Sequence, residues 1–69
     1  MILMTGIDCP SCDRVKRHLK KDIREISINT PEGMAESAYH GIGMVPALIV
    51  NDNEIIYGVN DILRRVNDE

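Results

Sequence analysis

Apolar and polar positions divide this chain into seven short stretches, and the spacing within each predicts its structure. Met1-Ile2-Leu3-Met4 is a continuous apolar run, the pattern of a strand covered on both faces. Thr5-Gly6-Ile7-Asp8 follows as a loop. Pro10 suits the first turn of a helix, where a missing N–H costs nothing. From Ser11 to about Lys21, residues Cys12, Val15 and Leu19 recur at helical spacing while charged residues take the other sides. Asp13 near the start and Lys20-Lys21 near the end both suit the helix dipole. Ile23 to Ile28 reads as a second strand, with β-branched Ile26 and Ile28 two apart.

Thr30-Pro31-Glu32 is an N-cap, a first-turn proline and an early acid, so a second helix starts there. Its apolar residues Met34, Ala35 and Ala38 are expected to face inward, and Gly41 is expected as its left-handed stop after His40. Ala47-Leu48-Ile49-Val50 is the most apolar strand, Asn51-Asp52-Asn53 a turn, and Glu54-Ile55-Ile56-Tyr57 the returning partner. Gly58 breaks the strand and Asn60 is expected to cap a last helix carrying Ile62, Leu63 and Val66 inward. The predicted order is βαβαββα. A right-handed crossover makes the first two strands parallel, and the terminal hairpin adds antiparallel ones. The expected fold is α/β, a mixed four-stranded sheet with helices on both faces.

Sixty-nine residues make a single domain, expected over 1–69, whose core supplies only about 3–5 kcal/mol net. There is no Trp or Phe and only two Tyr, so aliphatic residues fill the core, and stacking on single-stranded nucleic acid has few rings to use. Eight basic against eleven acidic residues give a net charge of −3, which argues against a phosphate-binding footprint. No apolar run approaches the roughly 18–20 residues that span a bilayer, and Met1–Met4 has neither the basic flank nor the length of a signal-peptide core. The expected compartment is the cytoplasm, with no nucleic-acid or membrane partner.

The two cysteines stand together in Cys9-Pro10-Ser11-Cys12. A bridge across so few residues closes almost no loop and constrains the unfolded chain very little. Stability is therefore a poor reason for the pair, and chemistry a better one. Cys9 lies where a loop becomes a helix, and free N–H groups and the positive dipole end there favour a thiolate. Cys9 is the natural attacking group. Cys12, one turn further in, is placed to attack a mixed disulfide on Cys9 and release the reduced substrate. Asp8, a carboxylate beside Cys9, works against the thiolate. A C-x-x-C spacing also serves metal sites, but His18 and His40 read as surface histidines and Met1, Met4, Met34 and Met44 as core or rim filler, with Met44 available to an apolar docking rim.

Val45-Pro46 precedes the most apolar strand. A proline is at home on a strand's first residue. A cis Val45–Pro46 bond is the sharper expectation, placing the Val45 backbone beside Cys9 to pair with an extended substrate. The basic cluster Arg14, Lys16, Arg17, Lys20, Lys21 and Arg24 reads as a solvated helix face balancing Asp13 and Asp22, with a docking surface for an acidic partner as the functional alternative.

Cys9-Pro10-Ser11-Cys12 after a first strand, with Gly41-Ile42-Gly43-Met44-Val45-Pro46-Ala47-Leu48-Ile49-Val50 downstream, resembles the thioredoxin/glutaredoxin superfamily, and within it the very short archaeal-type thioredoxins of glutaredoxin size. The resemblance runs through Gly58 and the final helix. It implies a thioredoxin fold and a dithiol–disulfide oxidoreductase that reduces protein disulfides. It further implies Cys9 as nucleophile, Cys12 as resolving thiol and Pro46 as the cis proline. Pro10, Ser11, Val45 and Pro46 would line the substrate. No cofactor or metal is implied beyond the redox-active Cys9–Cys12 disulfide, and the chain would act as a monomer. A thioredoxin reductase or the glutathione system would supply electrons. Gly6 stands where glutaredoxins usually carry Lys, Met44 where they carry Thr, and of their acidic glutathione-contacting pair only Asp61 is an acid, with Asn60 before it. Leu3 stands where thioredoxins bury an acid.

Two other classes compete. Gly6-Ile7-Asp8-Cys9-Pro10-Ser11-Cys12 also resembles the loop of heavy-metal-associated domains, which would carry Cu(I) on the two thiolates. That family runs βαββαβ, whereas Thr30-Pro31-Glu32 predicts a helix after Ile28 and Asp61–Val66 predicts one at the end. A non-catalytic interaction module would leave the pair's place at a helix start a coincidence.

Overall fold

Parallel pairing of the first two strands organises the molecule. A computed structural model describes residues 1–68; Glu69, the last residue of the domain expected over 1–69, lies outside the described residues. The order is β1 (Ile2–Thr5), α1 (Pro10–His18), β2 (Arg24–Ser27), α2 (Pro31–His40), β3 (Ala47–Asn51), β4 (Glu54–Tyr57) and α3 (Val59–Asn67). The strands form one mixed sheet in the order β2-β1-β3-β4. β1 pairs in parallel with β2, Met4 opposite Ile26, and antiparallel with β3, Met4 opposite Ala47. β3 and β4 close an antiparallel hairpin, turned by an Asx bond in which the Asn53 N–H donates to Asn51 Oδ1 (2.8 Å). The predicted α/β architecture is the observed one. The metal-carrier alternative needed a strand directly after Ile28 and another at the end; α2 and α3 stand there instead.

Alternation along each strand sorts side chains to the two faces of the sheet. Leu3 and Leu48 meet Val15, Ile62 and Val66 beneath α1 and α3. Met4, Ile26, Ala47 and Ile49 form the opposite layer, flanked by Ile28, Ile42 and Val45. Burying each Leu, Ile, Val or Met side chain among them contributes roughly 1.5–3 kcal/mol. An all-aliphatic core is thus enough to hold α1 over the sheet.

α2 meets the sheet in a way its periodicity did not disclose. The expectation that Met34, Ala35 and Ala38 turn inward is corrected: all three are exposed, Met34 by 57%, and Tyr39 beside them by 74%. The inward stripe is Gly33, Ser37 and His40, with Gly33 buried and the His40 side chain only 6% exposed. The cause is closeness. The first turn of α2 lies so near the end of β2 that a Cβ on Gly33 would overlap the Ser27 carbonyl and come within 2.9 Å of Ile28 Cα. Both predicted ends of α2 are observed: the Thr30 hydroxyl accepts from the Gly33 N–H (3.0 Å), and Gly41 takes the left-handed φ of +67°.

Two other boundaries differ from expectation. α1 stops at His18 rather than near Lys21. The Asn67 side chain, 49 positions downstream, donates to the His18 carbonyl (3.1 Å) and accepts from the Lys20 N–H (2.9 Å), so α3 supplies the stop. Replacing Asn67 by Ala should cost about 1 kcal/mol, measured by urea unfolding; a change below about 0.5 kcal/mol would mean that the α1 terminus does not depend on this amide. α3 is capped not by Asn60 but by Gly58, at φ +91°, because the passage out of β4 needs a positive φ that Asn60 is too late to provide.

Candidate active site

β1, β2 and β4 run in one direction and β3 in the other. α1, α2 and α3 each follow one of the three co-directional strands, so all three helices begin at the same end of the sheet. The positive ends of three helix dipoles face that edge. Cys9 stands on it.

Cys9 is the N-cap of α1, with extended backbone (φ −121°, ψ 94°), and Pro10 occupies the first helical turn. The Cys12 N–H donates to Cys9 Sγ (3.1 Å), and the Asp13 N–H donates to the Cys9 carbonyl (3.1 Å). A sulfur here takes the role of a capping oxygen and receives one of the orphan donors of the first turn. Cys9 and Cys12 are joined in a disulfide, their Cα atoms 5.2 Å apart. The two sulfurs differ in access: Cys12 is fully buried, whereas Cys9 is partly exposed, with Pro10 and Ser11 exposed between them. An incoming molecule meets Cys9 first.

The loop before Cys9 is held from β2. The Ile7 N–H donates to Asn29 Oδ1 (3.0 Å), and the Asn29 N–H donates to Ser27 Oγ (3.1 Å). Asp8 then takes φ +50°, a left-handed conformation that Asp tolerates better than most residues. Sequence reasoning overlooked Asn29. A short polar residue between a strand end and a helix cap was the available signal, but its partner lies 22 positions away. Thr5, buried at the end of β1, donates its hydroxyl to Glu25 (2.9 Å), which also pairs with Lys16 of α1 (3.4 Å). That tie holds α1 to the edge of the sheet.

The register places the segment before Ala47 at the same end. Ala47 lies opposite Met4, and Val45 Cγ2 is 3.3 Å from where a Gly6 Cβ would stand, three residues before Cys9. The Val45–Pro46 peptide bond is cis and Pro46 is buried. Ile7, 71% exposed, and Met44, 63% exposed, give this end an apolar rim. His18 is exposed on α1 as expected, but the surface placement expected of His40 is corrected: its side chain turns inward, only 6% exposed, and lies 3.4 Å from Glu36 on α2. Among the described residues no group of three or more His, Cys, Asp or Glu is arranged to hold a metal.

Residues 11–68 match the profile of a family described as "Protein of unknown function (DUF1525)". A curated protein of Archaeoglobus fulgidus, described as "Probable Thioredoxin", is 37% identical over 68 residues, a match covering 88% of this chain and 75% of that one. No solved structure gives a significant match. The chain therefore belongs to the family profiled over residues 11–68 and, as a short archaeal-type member, to the thioredoxin/glutaredoxin superfamily.

Proposed function

We propose that this thiol–disulfide oxidoreductase works as a reductant of protein disulfides, with Cys9 as nucleophile and Cys12 as resolving thiol. The observation that carries the reading is the unequal access of two bonded sulfurs at one helix start: Cys9 partly exposed, Cys12 buried beneath it. In the reduced protein, the N-cap position and the Cys12 N–H favour a thiolate on Cys9. That thiolate attacks one sulfur of a substrate disulfide. A Cys9–substrate disulfide forms, and the first substrate sulfur leaves as a thiolate that takes a proton from water. Cys12 loses its proton to water and attacks the Cys9 sulfur, and the second substrate sulfur leaves as a thiolate that takes up a proton in turn. Two electrons and two protons have then passed to the substrate, and the Cys9–Cys12 bond is restored.

Val45 and Pro46, with Pro10 and Ser11, are the residues we assign to substrate contact. The backbone of Val45, just before β3 begins, suits strand-like pairing with an extended segment, and Ile7 and Met44 offer it apolar contact. The return of electrons requires a dithiol or monothiol donor, a thioredoxin reductase or glutathione. We place the protein in the cytoplasm, where such donors keep thiols reduced; among the described residues no helix is long and apolar enough to cross a membrane.

The test is reduction of insulin disulfides by the dithiothreitol-reduced protein, followed by recycling with thioredoxin reductase and NADPH or with glutathione. Turnover above the dithiothreitol background is expected, and recycling by one donor system identifies it. Background-level turnover, together with stoichiometric Cu(I) binding against a chelator, would sink the reading.

A further inference from the structure

The eight cations of this chain are unevenly placed. Six of them stand between Arg14 and Arg24 with only Asp22 among them, so that segment carries +5 while the rest of the chain, with two cations and ten acids, carries −8. The positive charge of the chain is concentrated in and just after α1, the helix that begins next to Cys9.

The ion pairs divide those cations into two groups. Lys16 is engaged by Asp13 (3.6 Å) and Glu25 (3.4 Å), and Arg24 by Glu32 (2.6 Å). The balance expected from Asp13 and Asp22 is thus supplied by Asp13, Glu25 and Glu32. On α3, Arg64 and Arg65 are matched by Asp61 and Glu54. Among the described residues, no ion pair holds Arg14, Arg17 or Lys20, and all three are exposed. Cys12 and Val15 fill the buried side of α1, so Arg14 and Arg17, one turn apart, share its outer side. Arg17 in the last turn suits the helix dipole. Arg14 sits mid-helix, where the dipole offers it nothing. At 1.5 Å per residue its backbone stands about 8 Å along the axis from Cys9.

We propose that the outer side of α1, chiefly through Arg14 and Arg17 with Lys20 just past its end, docks acidic protein surfaces, so that the disulfides this protein reduces fastest are those flanked by Asp and Glu. This rests on the disulfide-exchange reading given above. Asp8 and Asp13 oppose that docking close to Cys9, but the excess of positive charge along and just past α1 raises encounter rates with acidic partners without adding a contact at the sulfur. An acidic protein patch fits better than nucleic acid. Three cations on a surface otherwise carrying excess negative charge are a short footprint for a phosphate backbone, and neither Tyr39 on α2 nor Tyr57 on β4 lies on this helix to stack a base.

The experiment uses the reduced full chain and two synthetic peptides of equal length, each with one internal disulfide, one flanked by Asp and Glu and the other by Asn and Gln. Second-order rates are read by stopped flow. The acidic peptide is expected to react about 10-fold faster at about 10 mM salt, with the advantage lost near 500 mM. Arg14→Glu with Arg17→Glu should reverse the preference. Arg14→Gln with Arg17→Gln should abolish it, and keeps the test decisive if the charge reversal unfolds the chain. Equal rates in the wild type at low salt, or a preference that survives in the glutamine variant, overturns the proposal. A wild type that retards a duplex DNA fragment while reducing both peptides equally overturns it in favour of a nucleic-acid partner. If neither peptide is reduced, the exchange reading itself falls, an outcome separate from equal reduction of both.

Discussion

Cys9→Ser should lower the rate of protein-disulfide reduction by at least about 10³-fold, because a serine hydroxyl is not ionised near neutral pH and cannot attack sulfur. Cys12→Ser should behave differently. Its Cys9 still attacks, but no thiol follows, so one substrate becomes bound per chain and turnover stops. Mass spectrometry of the Cys12→Ser reaction should reveal a mixed disulfide carried on Cys9 and released by dithiothreitol. The asymmetry follows from burial: Cys12 is sealed in the core and Cys9 reaches solvent. Equal multiple turnover by both variants and the wild type would refute the assignment, and a mixed disulfide found on Cys12 in Cys9→Ser would reverse the two roles.

Gly33→Ala should destabilise the fold by about 3 kcal/mol and lower the Tm by at least about 10 °C. Two effects oppose each other here. In a helix interior, Ala is favoured over Gly by about 1 kcal/mol, so propensity alone predicts a gain. The added methyl would, however, overlap the Ser27 carbonyl, and that carbonyl is already fixed by the Thr30 N–H (3.2 Å) and Thr30 hydroxyl (2.8 Å). Backbone meets backbone, so no side chain can swing aside; α2 must lift from the sheet. Sterics win. Because β2, α2 and the Asn29 tie to the Cys9 loop share this corner, the reduction rate should fall with stability. A thermal melt and a urea titration check the sign, and an unchanged or raised midpoint would show that α2 has room to yield.

The contrast between those two variants shows what was legible along the chain. Cys9 as a helix cap, Thr30 as the cap of α2 and Gly41 as its stop depend on bonds spanning three to five positions, and such bonds are written in neighbouring residues. The inner side of α2 was not. Met34, Ala35 and Ala38 fit a helical stripe, but so do Gly33, Ser37 and His40, and periodicity reports that a helix has two sides without reporting which one packs. Hydrophobicity favoured the wrong side because the space between α2 and the end of β2 admits only a hydrogen at position 33. The loop before Cys9 is similar: Asn29 and Val45 brace it from 22 and 39 positions after Ile7 and Gly6 respectively, and no local pattern announces either.

From its residues alone, the order of elements, the mixed sheet and the helix-capping cysteine pair were determined, since each arises from interactions among near neighbours or from the alternation of apolar positions. Tertiary structure decided the rest. It buried one sulfur and left the other accessible, brought the Val45–Pro46 segment to the cysteine end of the sheet, ended α1 with an amide from α3, and left Arg14 and Arg17 without an acidic partner among the described residues. These outcomes depend on which distant groups meet when the layers close, and the available space and charge exist only once they have closed.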